Sequence, residues 1–173
     1  MSTDRTNPFD VVLALRLLSA AGTLASIAEE MAVAPSQVHA ALKRLERAGL
    51  LRADKGVRAA NARALGEFIL FGVQYAFPAE RGPLADGIAT AYSAPALAEH
   101  IDAIDVLVWP TRADRLTVRG FSSKPLYGGA VRLVETSPET YRLLTLVDAM
   151  RLGEPRARNG ARVQLEQALG WRG

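Results

Sequence analysis

Over residues 23–51 the apolar positions follow a helical period twice, in two short runs separated by a break. In the first run Leu24, Ile27, Ala28 and Met31 share one face, Thr23 stands where an N-cap is needed, and Glu29 and Glu30 are left for solvent. Residues 31–35 interrupt the period, and Pro35 suits a first helical turn, so a second helix is predicted to begin at Pro35 or Ser36. Its buried stripe is Val38, Ala41, Leu42 and Leu45, and Gly49 closes it as a C-cap. Opposite that stripe lie Ser36, Gln37, Ala40, Lys43, Arg44 and Arg47, hydrogen-bonding and cationic side chains with one small residue that permits close approach. Such a face suits a helix in a DNA major groove, where Gln addresses adenine, Arg addresses guanine, and Lys or Arg contacts phosphate.

Upstream, Asn7, Pro8 and Asp10 form a helix-start pattern for a run over residues 9–21 that is apolar nearly all round, broken by Arg16 and ended by Gly22. A helix so apolar needs cover on more than one side, from the core or also from a dimer seam. Downstream, residues 52–58 have turn chemistry at 54–56 flanked by bases. They read either as a short wing, with Arg52, Lys55 and Arg58 reaching phosphate, or as a solvated charged turn.

Asn61 caps a further predicted helix over 62–77, crowded with aromatic residues and ended by Pro78. That helix is either a link or homodimer interface, or the core helix of a monomer. Residues 79–98, rich in Gly, Pro, Ala and Ser, read as loop and mark the candidate boundary. Residues 105–109 and 115–119 read as strands of a hairpin joined by 110–114, and 130–134 as a third strand after the turn at 127–129. Two helices follow. Pro138 and Glu139 open one that runs to Leu152 with a stripe of Tyr141, Leu144, Val147 and Met150, stopped by Gly153; Pro155 opens another with an apolar edge of Ala161, Leu165, Ala168 and Leu169.

The arrangement of Leu24, Ile27, Ala28, Met31, Val33, Pro35, Ser36, Val38, Leu42, Leu45 and Ala48-Gly49-Leu50 resembles the helix-turn-helix of bacterial winged-helix transcriptional regulators, in the broad MarR and IclR sense. The resemblance covers roughly the first third of the chain and identifies a superfamily. Such units also occur in antitoxins that repress their own operons, and that reading stays open. The expected fold is α+β: a winged helix-turn-helix DNA-binding domain at 1–60, a connecting helix and linker at 61–98, and an α+β interaction or regulatory domain at 99–173.

Charge sharpens this picture. The net charge of +3 is modest, but residues 36–58 hold six cations (Lys43, Arg44, Arg47, Arg52, Lys55, Arg58) against Glu46 and Asp54, whereas residues 61–173 are nearly neutral. A basic patch confined to one helix and its sequel is the footprint of phosphate contact. With 49% hydrophobic and 23% charged residues the chain can bury a real core. No apolar run is long enough for a membrane span and no secretory leader pattern opens the chain, so a cytoplasmic location is expected. The absence of cysteine excludes disulfides, thiolate metal sites and cysteine nucleophiles.

The candidate chemistry is thin. His39 lies within the second helix and is open to DNA contact or a partly exposed packing role. His100 with Glu99, Asp102 and Asp105 lacks a metal-ligand signature, and Ser93, His100 and Asp102 lack a nucleophile elbow. Gly128-Gly129 is a turn rather than a phosphate loop. The expectation is a non-enzymatic, cofactor-free homodimer on double-stranded DNA. The alternative is an antitoxin or interaction module whose C-terminal part binds a protein partner, and a third reading has a small molecule sensed by Phe121, Tyr127 or Trp109.

Overall fold

The computed structural model describes residues 5–54, 57–99, 101, 105–112, 116–152 and 154–171. Helix α1 (Pro8–Ser19) starts at a reciprocal cap: the Asn7 side chain accepts from the Asp10 amide, and the Asp10 carboxylate accepts from the Asn7 amide at 2.9 Å. Helix α2 (Leu24–Glu30) is capped by Thr23 and helix α3 (Pro35–Arg47) begins at its proline. Strands β1 (Leu51–Asp54) and β2 (Val57–Ala60) form an antiparallel hairpin with Leu51 opposite Ala60.

Helices α2 and α3 end alike. The amides of Ala32 and Val33 fold back onto the carbonyls of Glu29 and Ala28, and those of Gly49 and Leu50 onto Glu46 and Leu45. Each motif needs one left-handed residue, supplied by Ala32 (φ 53°) in the first and Gly49 (φ 73°) in the second. Glycine adopts that conformation freely, whereas a Cβ there costs roughly 1 kcal/mol. The turn between the two helices is therefore strained, and the turn after α3 is not.

Next come α4 (Ala62–Glu67), a π-helical turn (Phe68–Gly72) and α5 (Val73–Ala76) without interruption. The extra residue of the π turn rotates the following face, so that Leu65, Ile69, Leu70 and Val73 all point inward. Strand β3 (Arg81–Ala89) follows where loop is expected from the sequence, and after it a 3-10 turn (Ala91–Ser93) and α6 (Pro95–Ala98). Strands β4 (Leu107–Pro110) and β5 (Val118–Ser123) pair parallel to each other and antiparallel to β3, which closes a three-stranded barrel. The expected hairpin of 105–119 is thereby corrected: β4 and β5 run parallel rather than as a hairpin, and β3 lies antiparallel to both.

Glycines make that closure possible. A Cβ at Gly87 would overlap the Trp109 carbonyl, and one at Gly120 would lie 2.6 Å from the Val106 carbonyl oxygen. The third expected strand, 130–134, is instead a 3-10 turn (Gly128–Arg132) running into α7 (Leu133–Thr136), with Ala130 and Leu133 buried on a three-residue period. Helix α8 (Pro138–Leu152) and helix α9 (Pro155–Ala168) complete the chain; the expected stop at Gly153 lies outside the described residues.

Helix α8 is the centre of the molecule. It packs against α1, α5, α6, α7 and α9, and its buried set is continuous from Leu143 to Arg151 rather than the stripe of four expected. Within it, the carboxylate of Asp148 accepts from Thr90 Oγ1 at 2.8 Å, from the Trp109 indole and from Arg151, whose Nε donates to the Phe77 carbonyl at 2.8 Å. Burial pushes the Asp148 carboxyl up, while Arg151, Trp109 and Thr90 pull it back. Helix α1 lies between this centre and α3, with residues 11–15 fully buried. One hydrophobic cluster runs from Val11 to Leu169, so the fold is a mixed α+β assembly around a shared core. Among the described residues no single helix is long and apolar enough to cross a membrane.

Candidate nucleic-acid interface

Helix α3 presents its Val38, Ala41, Leu42 and Leu45 stripe to the core, as the sequence period requires. Two Arg–carboxylate pairs fix the pose of α2 and α3 on α1. Arg44 donates from Nε and Nη2 to the two oxygens of Asp10, at 2.9 and 2.7 Å. Arg16 of α1 donates to Glu30 of α2 at 2.8 and 2.9 Å, and its Nη1 reaches the Ala20 carbonyl at 2.7 Å. Both pairs are largely hidden from solvent, Asp10 completely. Planar, two-pronged contacts of this kind set orientation as well as distance. The Asp10 carboxylate bonded to it raises the Arg44 guanidinium above its already high ordinary range, against the opposing effect of burial.

This arrangement divides the polar face of α3 into two rows. Ser36, His39, Lys43 and Arg47, spaced three, four and four residues apart, are exposed along one ridge. Ala40 and Arg44, both half-buried, and the exposed Gln37 line a groove of about 280 Å³ shared with Asn7, Phe9, Val33 and Tyr127. Arg44 is thus an anchor between helices, not a side chain projecting outward. Gln37 Oε1 accepts from the Ala34 amide at 3.2 Å; a two-pronged adenine contact, which needs both ends of the amide, would require release of that cap. His39 is exposed rather than packed.

The hairpin also sorts its cations. Arg52 pairs in register with Ala59 and Arg58 with Ala53, so the two arginines project from opposite faces. Arg58 is salt-bridged to Glu46 of α3. Arg52 is exposed and lines a depression of about 490 Å³ with Asn61, Arg63 and Trp171. Lys55 lies outside the described residues. Among the described cations of the local excess, Arg44 and Arg58 are compensated by Asp10 and Glu46, while Lys43, Arg47 and Arg52 are exposed.

Three contributors to this site gave no sequence signal for the contacts they make here. Asp10 shows the spacing of a helix cap and also clamps Arg44. Glu30, read as solvated, holds Arg16. Tyr127 crosses from the C-terminal half to pack edge-to-face on Phe9 at 5.0 Å and donates to the Met31 carbonyl at 3.2 Å, at the strained turn.

The three aromatics considered as a sensing pocket each have a different neighbour. Trp109 is buried on Asp148, Phe121 lies under the Arg81 guanidinium at 3.6 Å, and Tyr127 sits on Phe9. The Ser93 hydroxyl accepts from the Leu107 amide; His100 and Asp102 lie outside the described residues. Among the described residues no group of three or more His, Asp or Glu side chains gathers as a metal site. Comparison of the chain with protein-family models, curated proteins and solved structures returns no match.

Proposed function

We propose that the chain is a sequence-specific DNA-binding transcriptional regulator acting as a homodimer, with α2, α3 and the β1–β2 hairpin serving as a compact winged helix-turn-helix. The observation that carries this reading is the exposed Ser36, His39, Lys43 and Arg47 ridge on a helix clamped to α1 by Arg44–Asp10, beside an α2 clamped to α1 by Arg16–Glu30. A groove-reading helix must be held from behind and exposed in front, and the clamp behind α3 and the exposure of this ridge support that reading. In this reading Ser36 and His39 offer hydrogen bonds at the N-terminal end that contacts base edges, and Lys43 and Arg47 approach phosphate or guanine. Arg52 contributes phosphate attraction from the hairpin, and Arg44 acts only by holding α3 in place.

Two readers about 34 Å apart would require a near-palindromic operator. Mobility shift with the DNA upstream of the chain's own gene, in excess nonspecific competitor, is expected to give a retained complex. A complex abolished by competitor would contradict sequence-specific reading.

A second reading, a protein-interaction module of antitoxin type, draws on the exposed Leu84 and Val118 on the barrel strands and Val106 and Leu116 beside them, none of which takes part in the reader. Co-purification of the chain with the product of a neighbouring gene, lost on Leu84→Asp, is its expected result. Retention of no such product would leave it without support.

A further inference from the structure

The π turn, α5 and α9 bring a second set of large side chains to the surface. Phe71 is 52% exposed, Tyr75 78% and Val163 54%. Phe71 and Val163 are joined through Trp171 and Arg162, and Tyr75 stands four residues beyond Phe71 in the same helical run. Phe71 meets Trp171 edge-to-face at 6.4 Å and lies 5.2 Å from the Arg162 guanidinium, and Val163 and Trp171 line one depression of about 430 Å³ with Glu166, Gln167 and Gly170. Trp171 is held flat on α4 by Gly66, where a Cβ would stand 3.1 Å from the indole. Aromatic residues with arginine at the margin are the composition of interface centres.

The charges at the rim identify the occupant. Arg162 and Glu166 stand four residues apart on α9, both about one-third exposed, with a loose separation of 3.9 Å. Within one helix the arginine-before-glutamate order is the weaker orientation for such a pair. Across a two-fold axis with α9 antiparallel to itself, the same spacing sets each Arg162 opposite Glu166 of the partner subunit, twice per interface. The face is thus complementary to itself.

We propose that Phe71, Tyr75, Val163 and Trp171, rimmed by Arg162 and Glu166, form the seam of a symmetric homodimer whose other half is a second copy of this chain. The proposal rests on the dimeric reading above and gives it a location. The seam also adjoins the hairpin, because Trp171 lines the depression shared with Arg52 and Asn61; pairing here constrains how far apart the two hairpins stand.

Sedimentation velocity of the full chain over a concentration series tests it, with circular dichroism confirming unchanged helix content in each variant. The expected result is a dimer whose dissociation constant rises about 100-fold in Tyr75→Glu. Arg162→Glu and Glu166→Arg alone each raise it roughly tenfold, and the double exchange returns it to within about threefold of the parent. A monomeric parent chain, a dimer indifferent to Tyr75→Glu, or a double exchange that does not restore association overturns the seam. DNA binding is followed separately. A monomeric parent that still binds one half-site overturns the seam and spares the reader, whereas a dimer that obeys the charge cycle but ignores DNA supports the seam and overturns the reader.

Discussion

Helices α3 and α8 are of similar length, thirteen residues against fifteen, yet they use polar residues in opposite ways. Helix α3 keeps one apolar stripe inside and leaves Ser36, His39, Lys43 and Arg47 outside, sending only Arg44 inward to a charged partner. Helix α8 buries Thr140, Thr145, Asp148 and Arg151 along with its apolar residues, and satisfies them with Ser19, Thr90, Trp109, Phe77 and the carbonyl of Arg142. Most polar side chains on α3 reach solvent. Those buried on α8 are structural. The same residue types therefore carry different meaning according to whether a distant partner waits for them.

The largest effect that separates the two helices is expected at Asp148. Asp148→Ala leaves Arg151 buried without its carboxylate, so a loss of about 3–5 kcal/mol in urea unfolding is expected. A loss below about 1 kcal/mol, the size of an ordinary surface change, would mean that the cluster is not structural. Arg44→Ala is the corresponding exception on α3: it strands a fully buried Asp10, and a loss of about 3 kcal/mol is expected. Lys43→Ala, one residue away, is expected to change stability by less than about 0.5 kcal/mol. If the two substitutions proved equal, the division of α3 into anchoring and exposed rows would fail.

The two helix ends give a smaller contrast of opposite sign. Ala32→Gly relieves a left-handed alanine and is expected to stabilise by up to roughly 1 kcal/mol, while Gly49→Ala, with open space around its Cβ, destabilises by about the same amount through the backbone alone. Calorimetric midpoints moving in the same direction for both would contradict that assignment.

The smallest effect is a pH dependence on α8. Burial pushes the Tyr141 phenol up to about 12, and its hydroxyl donates to the Ala89 carbonyl at 2.7 Å. A phenol raised above its unfolded value near 10 leaves stability intact below about pH 10 and removes it as pH rises through 12. Tyr141→Phe is expected to flatten that alkaline slope at a cost of about 1 kcal/mol at neutral pH; an unchanged slope would assign it to other groups.

The contrast between α3 and α8 also explains what the sequence made legible. The Asn7-Pro8-Asp10 start, the Thr23 cap, the α3 stripe and the Gly49 stop all depend on neighbours within four residues, and all stand where the period puts them. The π turn at Phe68–Gly72 carries no comparable signal, since it inserts one residue into an otherwise helical pattern. Strand β3 was hidden for the opposite reason: Gly82, Pro83 and Gly87 mark loops locally, but here the glycines permit backbone approach inside the barrel. The pairing of β4 and β5 with β3 and the burial of Asp148 both depend on partners tens of residues away.

The site was legible to the same depth. Its exposed row came from the helical period, whereas the loss of Arg44 to Asp10 and of Arg58 to Glu46 needed contacts 34 and 12 residues apart in the chain.

Fluorescence anisotropy of the full chain on its upstream duplex, titrated across salt concentrations, addresses the exposed row of α3 most directly. The parent is expected to bind that duplex at least about a thousandfold more tightly than a scrambled one. Lys43→Ala with Arg47→Ala is expected to reduce the slope of log affinity against log salt by about two. Equal affinity for the two duplexes, or a salt slope untouched by the double substitution, would contradict the proposal that this ridge reads DNA.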